Sequence, residues 1–450
     1  MNELLNISPI DGRYAKKTHV LEPYLSEFAL IKHRTLVEIK WLVYLINKGI
    51  IDEKLTQTEI EKISEIATNF SLEDAQRVKE IESETKHDVK AVEYFLREKF
   101  ENLGFEKLNP FIHITLTSED VNNTSYNLMF SSALENVYFI QVENLVCKLN
   151  ELADEFKSTS MLGHTHGQIA TPTTVGKEFK VFELRIKKLL DFLKNIKLCS
   201  KFSGTVGTFA CHTVAYPDAD WVSLAKEFIE SLGLEYNPVT TQIESHDITC
   251  LVLSHIKLIN NVIKDLCSDM WLYISRGYFH EKMTAGEVGS SVMPHKVNPI
   301  NHENSMANIE LSNGVIDALV NNLQISRMQR DLSDSSKMRN LGVCLAHSLV
   351  SISETLVGLN KIEVNNEVLN NELEDNYTVL SEAVQTMLRK NKVQNAYELL
   401  KGLSRGKTLS KEDMHEFIKT LPINEVDKNK LMGLSPASYT GLAKKLVEEN

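Results

Sequence analysis

The chain runs to 450 residues, more than one compact core usually holds, and its 42% hydrophobic and 24% charged residues exclude wholesale disorder. Its 49 Lys plus Arg stand against 61 Asp plus Glu. The resulting formal charge of -12 argues against broad binding to nucleic acid or an anionic membrane, while leaving room for a local basic pocket for a small anion.

The six cysteines lie far apart with no C-x-x-C pair, so reduced thiols are expected. The N-terminal residues lack a cationic flank ahead of an apolar run, and no window approaches 18 apolar residues. The expectation is therefore a cytoplasmic protein with no membrane partner.

In chain order, turn signals at Ser8-Pro9 and Asp11-Gly12 precede His19 to Lys48, where Leu21, Leu25, Phe28, Leu36, Ile39, Leu42, Val43 and Ile46 recur at helical spacing up to Gly49. Thr56 to Leu103 is charged and helical in pattern, and Asn109-Pro110 marks a first boundary. Gly and Pro are absent from Ser118–Leu162, Lys177–Ser203, Val239–Arg276 and Val315–Leu341, which predicts four long helices. A helix of about 40 residues is about 60 Å long, a length that suits an extended bundle.

Leu128, Leu134, Val137, Ile140, Val142, Leu145 and Leu149, with Ile316, Leu319 and Leu323, form stripes that read as core. The connectors Gly163–Gly176, Gly204–Asn237 and Arg276–Asn301 become loops at the bundle's ends, in which short strands stay open. From about Asn365 the pattern shortens, with turn signals at Gly402, Gly406, Pro422 and Gly433. The expected fold is all-α in three helical domains: 1–110, a central long-helix bundle at 111–364, and a small C-terminal domain at 365–450. Helix-on-helix packing of such bundles favours a homo-oligomer.

One stretch stands apart. Gly286 to Asn304 reads G-E-V-G-S-S-V-M-P-H-K-V-N-P-I-N-H-E-N, dense in turn formers and reactive side chains between helical segments. Asn298-Pro299 matches a helix start, with Asn as N-cap and Pro at the first helical position. Ser290 and Ser291 then lie near a positive helix end and Lys296, where an alkoxide or bound carboxylate would be stabilised. A capped loop with solvated serines is the competing reading.

Five further clusters contain groups suited to catalysis or anion binding. Thr165-His166-Gly167-Gln168 frees a histidine for proton transfer, with His164 as a rival. Lys86, His87 and Asp88 interrupt a salt-laced helical region. In Phe111–Asn123, Ser118 is placed to cap a helix carrying Glu119 and Asp120 in its first turn. Gln242–Asp247 is polar, and Arg330 and Arg339 in Arg327–Arg339 could clamp an anion. No H-E-x-x-H and no Cys/His cluster occurs, so no metal is expected.

Together these clusters resemble one family. Ser290-Ser-Val-Met-Pro-His-Lys-Val-Asn-Pro299 is similar to the S-S-x-M-P-x-K-x-N signature of the fumarase/aspartase superfamily. Arg13-Tyr14, H-D-V-K-A-V-E-Y-F-L from His87, T-S-E-D at Thr117, T-H-G-Q at Thr165, T-T-Q-I-E at Thr240 and R-D-L-x-D-S at Arg330 resemble the bacterial-type adenylosuccinate lyase family, over residues 8 to about 442.

The resemblance implies cofactor-free β-elimination of fumarate from adenylosuccinate and from the succinylated aminoimidazole carboxamide ribotide. Ser290 would be the base, on a loop that closes over substrate. His166 would be the acid, paired with Glu303, and Lys296 and Asn298 would bind the succinyl carboxylates. Thr117, Ser118 and Gln242 would contact the same moiety, with Ser291, Met293 and Asn304 nearby. Arg13, Tyr14, Lys86, His87, Asp88, Arg330, Ser335, Ser336 and Arg339 would hold the nucleotide and its phosphate.

Sites are expected to be shared between subunits of a homotetramer. Two departures stand out: His164, where relatives carry arginine before T-H-G, and Lys86. Another lyase of the superfamily and a catalytically idle helical scaffold are the alternatives left open.

Overall fold

The structure, a computed structural model, describes residues 3–282, 293, 296–404 and 409–450. The chain is 68% helical with only short strands, in keeping with the all-α expectation. Its contacts divide it into two units. The first comprises 1–142, 189–261 and 307–353, the second 143–188, 262–306 and 354–450. Every division falls inside a long helix, so each unit is assembled from segments distant in sequence.

In the first unit, α1 (Glu27–Asn47) starts at Ser26, whose Oγ accepts the Ala29 N–H at 3.1 Å. The charged stretch that follows resolves into α2 (Gln57–Thr68), α3 (Leu72–Thr85) and α4 (Asp88–Leu103). Capping boxes at Thr56 and Ser71 open α2 and α3. Trp41 of α1 sits at the middle of an aromatic cluster, 4.8 Å from Phe202 and 4.9 Å from Phe228 between ring centroids. Rings buried at this density stabilise by area and by edge-to-face geometry together.

α5 (Ser118–Ala133) is capped one residue earlier than expected. Thr117 is the N-cap, and its N–H donates to Asp120 Oδ2 at 2.9 Å, leaving Ser118 as the first helical residue. A π-helical turn at Leu134–Tyr138 leads directly into α6 (Phe139–Glu155). Leu134, Val137, Val142, Leu145 and Leu149 are buried as expected, whereas Ile140 is exposed.

In the second unit, β1 (Ser160–Thr165) and β2 (Gln168–Thr174) form an antiparallel hairpin ahead of α7 (Val175–Lys194). The tail of the Ser118–Leu162 span is thus strand, because it pairs with the turn-rich segment beyond it. A register shift between Leu162 and Gly163 skips Thr171 on β2. At this point a Cβ on Gly163 would stand 2.5 Å from the Thr171 carbonyl oxygen, so only glycine fits.

The Val239–Arg276 span contains α8 (Asp247–Ser275), and β3 (Phe279–Glu281) pairs with β4 (Ile362–Val364). The Val315–Leu341 span is not one helix. α9 (Ile300–Leu323) begins well before it, and the chain then turns before α10 (Ser333–Met338). Asp331 makes the break: its Oδ1 accepts the Ser333 N–H at 2.8 Å and its Oδ2 the Arg327 N–H at 3.2 Å. Local carboxylate acceptors of this kind compete with helix hydrogen bonds.

α11 (Leu341–Lys361) went unpredicted because Gly342 and Gly358 lie within it. Ser333–Lys361 is long and apolar enough to cross a membrane by length and composition. Yet 72% of its apolar window is buried in the protein, as in a core helix. From Asn366 onward short helices enclose a core of their own, including Tyr377, Leu380, Val384, Leu388, Met414, Ile418 and Leu431.

Candidate active site

The first unit contains several of the residues expected to hold nucleotide and succinate, whereas Lys296, Asn298 and their neighbours belong to the second. His87 caps α4, its Nδ1 accepting the Lys90 N–H at 3.1 Å, so the neutral ring carries its proton on the exposed side at Nε2. Lys86 ends α3 in left-handed conformation (φ 57°), which turns the chain into that cap.

Asp88 Oδ2 receives Arg34 Nη2 at 2.7 Å and Arg339 Nη2 at 3.4 Å. Burial alone would raise the Asp88 pKa, but the two guanidiniums hold it below the ordinary aspartate value. Arg339 Nη1 also donates to Ser335 Oγ at 2.9 Å. Ser336, next in α10, accepts the Asn340 side chain on its carbonyl at 3.0 Å.

Arg13 is exposed and Tyr14 half-buried in a turn closed by the Tyr14 N–H to the Pro9 carbonyl at 2.8 Å. Beneath that turn lies a cavity of about 390 Å³ lined by Asp11, Thr18, His19, Leu25, Arg339 and Gly342. Gly342 permits the close approach there, since a Cβ would stand 3.2 Å from the Leu25 backbone oxygen. The cavity joins the N-terminal turn to Arg339, and its charged lining is mixed, with Asp11 and Glu22 as well as the arginine.

Arg330, expected on the nucleotide side, bonds instead to Gln242, which is expected to contact the succinyl moiety. Its Nη1 donates to Gln242 Oε1 at 2.9 Å, and its Nη2 lies 3.1 Å from Glu119 Oε2. Gln242 is oriented in turn by its Nε2 donating to the Thr205 carbonyl at 2.8 Å. Burial pushes the Glu119 pKa up to about 7, with Arg330 opposing and Asp334 adding to the rise. His246, held at φ 60°, lies beside Asp334. Burial would lower its pKa, but Asp334, Glu244 and Glu119 keep it above the usual histidine value.

Thr117 and Ser118 reach this region on a strained segment. His113 (φ 60°) and Thr115 (φ 65°) are both left-handed, an unfavourable state for a β-branched residue. Glu38 of α1 fixes them by accepting the His113 N–H at 3.1 Å and its Nδ1 at 2.6 Å, while Trp41 Nε1 donates to the Ile114 carbonyl at 3.2 Å. Behind the helix start, Asp120 and Lys201 form a fully buried ion pair at 2.7 Å.

In the second unit His166 and Gly167 are the two central residues of the hairpin turn, at φ 53° and φ 73°. Two positive φ values define a type I′ turn, which leaves the His166 ring exposed at the tip. His164 lies two residues back on β1, and its Nε2 accepts from Arg276 Nη1 at 2.9 Å. Burial first, then the Arg276 charge, lowers its pKa, so His164 is a neutral acceptor occupied by the fold. His164, one of the two departures from the family pattern, is thus held by Arg276.

Glu303 lies in the first turn of α9, where its Oε1 accepts Trp271 Nε1 at 3.1 Å, so within the subunit that oxygen is held by an indole. Ile300 is the first helical residue, so the helix starts slightly later than the Asn298-Pro299 pattern implied, and Glu303 N–H bonds the Pro299 carbonyl at 3.3 Å. Lys296 is exposed, its N–H bonded to the Met293 carbonyl at 3.0 Å. Met293 is exposed, Asn298 and Asn304 are half-buried, and Ser290 and Ser291 lie outside the described residues.

Arg34, Asn122 and Glu119, which join this network, are not among the residues the sequence led us to expect in the site, although Glu119 and Asn122 lie in the Phe111–Asn123 cluster. Arg34 left one signal, a cation on the same helical stripe as Leu30, Ile31 and Val37.

Comparison with known proteins gives a consistent result. Residues 23–311 match the family described as Lyase and residues 326–440 the family described as Adenylosuccinate lyase C-terminal. The adenylosuccinate lyase of Buchnera aphidicola subsp. Schizaphis graminum (strain Sg) is 44% identical, over 100% of this chain and 99% of its own. That of Legionella pneumophila (strain Corby) is 45% identical over 98% of each chain, and that of Escherichia coli (strain K12) 41% identical over 100% of this chain and 99% of its own.

Among solved structures, fumarate lyase from Mesorhizobium sp. BNC1 superposes with a TM-score of 0.77 over 96% of this chain and 97% of its own, at 19% identity. The 3-carboxy-cis,cis-muconate lactonizing enzyme from Pseudomonas putida gives 0.73 over 96% of each chain, at 18%. At such identities the structural likeness speaks for the fold alone. Full-length identity above 40% speaks for more, and the chain belongs to the adenylosuccinate lyase family of the fumarase/aspartase superfamily.

Proposed function

We propose that the protein cleaves adenylosuccinate to AMP and fumarate, and the succinylated aminoimidazole carboxamide ribotide to its amide and fumarate, as a carbon–nitrogen lyase of purine nucleotide biosynthesis. One observation carries this reading beyond family membership. Of the residues expected to hold nucleotide and succinate, Asp88, Ser335 and Arg339 form one hydrogen-bonded group and Gln242 and Arg330 a second, and the two are joined in the first unit through Arg34, Asn122 and Glu119, although up to 251 positions separate them.

In the reaction a base removes the proton from the carbon beside a succinyl carboxylate, giving a dianionic aci-carboxylate. The C–N bond then breaks as an acid protonates the departing nitrogen. Ser290 is the proposed base. Lys296, Asn298, Thr117, Ser118 and Gln242 would stabilise the charge that develops on the carboxylate. Ser291, Met293 and Asn304 would line that part of the site, and Arg13, Tyr14, Lys86, His87 and Ser336 would complete the nucleotide grip.

His166 is the proposed acid. Its place at a two-residue turn suits a group that reaches outward to a ligand, and the bond from Arg276 to His164 supports His166 over its neighbour as the acid. A carboxylate partner would favour the imidazolium form, and Glu303 is proposed to serve from a neighbouring subunit. This arrangement fits a cytoplasmic homotetramer with shared sites and no cofactor, built on a three-domain chain divided near 110 and 364.

The test is fumarate release from each succinylated substrate by the purified protein. No release at saturating substrate would overturn the reading. Mixing inactive His166→Ala and Glu303→Ala proteins after dissociation tests site sharing: regained turnover is expected, and none would reject it.

A further inference from the structure

Arg34 lies on the inner stripe of α1 with its side chain 1% exposed. A guanidinium does not shed its charge, so burial requires partners for its donor fork. Nε donates to Asn122 Oδ1 at 2.9 Å and Nη2 to Asp88 Oδ2 at 2.7 Å.

From each partner the line of contacts continues. On one side Asp88 Oδ2 also receives Arg339 Nη2 at 3.4 Å, and Arg339 reaches Ser335 Oγ at 2.9 Å. On the other, Asn122 Nδ2 donates to Glu119 Oε2 at 3.4 Å. That oxygen faces Arg330 Nη2 at 3.1 Å, and Arg330 Nη1 donates to Gln242 Oε1 at 2.9 Å. Basic and acidic members alternate along the line: Arg330, Glu119, Arg34, Asp88, Arg339. Each is fixed by the neighbours on either side, so a displacement at the centre reaches both ends.

We propose that Arg34 and Asn122 are positioning residues that couple the two halves of the ligand site, holding Asp88 and Arg339 on the nucleotide side in register with Gln242 on the succinyl side, which Arg330 holds by its Nη1. This rests on the functional reading above. The rigid, divergent fork of arginine is the feature that matters, because a lysine at 34 retains the charge but replaces the separate Nε and Nη2 donors with one nitrogen. Neither residue needs to touch substrate to act.

The test uses the full-length protein in three forms: Arg34→Lys, Asn122→Ala and, as a surface control, Arg77→Ala, whose guanidinium pairs with Glu80 and Glu98 at an exposed position. KM and turnover with adenylosuccinate are measured alongside inhibition by AMP and by fumarate separately, with circular dichroism to report folding. Arg34→Lys and Asn122→Ala are each expected to raise KM about tenfold with turnover within about threefold, the scale for losing one charge-assisted hydrogen bond.

Both variants should also weaken inhibition by AMP and by fumarate. The double variant should be no worse than the more damaged single variant, because both changes cut the same line. The control should match wild type.

Unmoved constants, or weakening confined to one of the two inhibitors, would overturn the coupling. If Arg34→Lys fails to fold, Asn122→Ala makes the same test. Failure of both to fold also overturns the proposal, assigning the pair to stability alone. An active wild type with unmoved variants rejects this inference only, whereas an inactive wild type rejects the functional reading beneath it.

Discussion

His302 offers a test of how burial controls stability in the second unit. Its side chain is 0% exposed in the first turn of α9, and neither ring nitrogen has a hydrogen-bond partner among the described residues. The ring lies against Gly358, where an added Cβ would come within 2.7 Å of Cε1 and Nε2. Burial without a compensating charge lowers its pKa from 6.5 to about 4.

The sign of the linkage follows from that depression. The unfolded chain takes up a proton near pH 6.5 that the folded protein refuses until about pH 4, so stability is lost as pH falls across that window. Integrated from pH 7 to pH 5, the loss is about 2 kcal/mol. His302→Phe replaces the ring with one of similar shape that does not titrate. It also removes two unpaired buried nitrogens, so it should stabilise at both pH values by lifting a desolvation cost on the order of 1–3 kcal/mol.

The discriminating quantity is the difference between variant and wild type at the two pH values, in which the titration of other groups cancels. Urea unfolding at pH 7 and pH 5 should show a gain about 2 kcal/mol larger at pH 5. An equal gain at both would refute a neutral, unpartnered His302.

Other substitutions probe the site and its supports. Ser290→Ala and His166→Ala should each lower turnover by a factor on the order of 10² to 10⁴ while substrate still binds, and near-normal turnover in either would remove that residue from the chemistry. Arg330→Ala should raise KM for adenylosuccinate by about tenfold or more, since it strips both Gln242 and buried Glu119 of a partner, and an unchanged KM would reject its place in the ligand pocket. Gly163→Ala should cost about 1–3 kcal/mol in thermal or denaturant unfolding and lower turnover as well, because the hairpin it would distort carries His166. Gly314→Ala is the contrasting case: nothing lies within 4 Å of the position its new methyl group would take in α9, so a gain of about 0.5–1 kcal/mol is expected.

What the sequence made legible follows the range of the forces involved. Helical stripes are local, and Leu134, Val137, Val142, Leu145 and Leu149 are buried where their spacing put them. Helix ends were less legible when they depended on one side chain. Asp331 interrupts a span free of Gly and Pro, while α11 tolerates two glycines because Gly342 and Gly358 let Leu25 and His302 pack against it. The hairpin at 160–174 was hidden by the same rule, since strand pairing depends on a partner that no local pattern announces.

The site divides in the same manner. Motif residues such as His87, His166, Gln242 and Arg330 were visible because each stands in a polar cluster with a recognisable neighbour. Arg34 was not, because it sits among apolar residues and its meaning comes from Asn122, 88 positions away, and Asp88, 54 away. A charge on a buried stripe is therefore the signal to look for. An unsatisfied guanidinium in that environment would destabilise the fold by several kcal/mol, so its presence implies acidic or amide partners elsewhere in the chain. In this protein those partners lead directly to the two groups of residues proposed to hold the ligand.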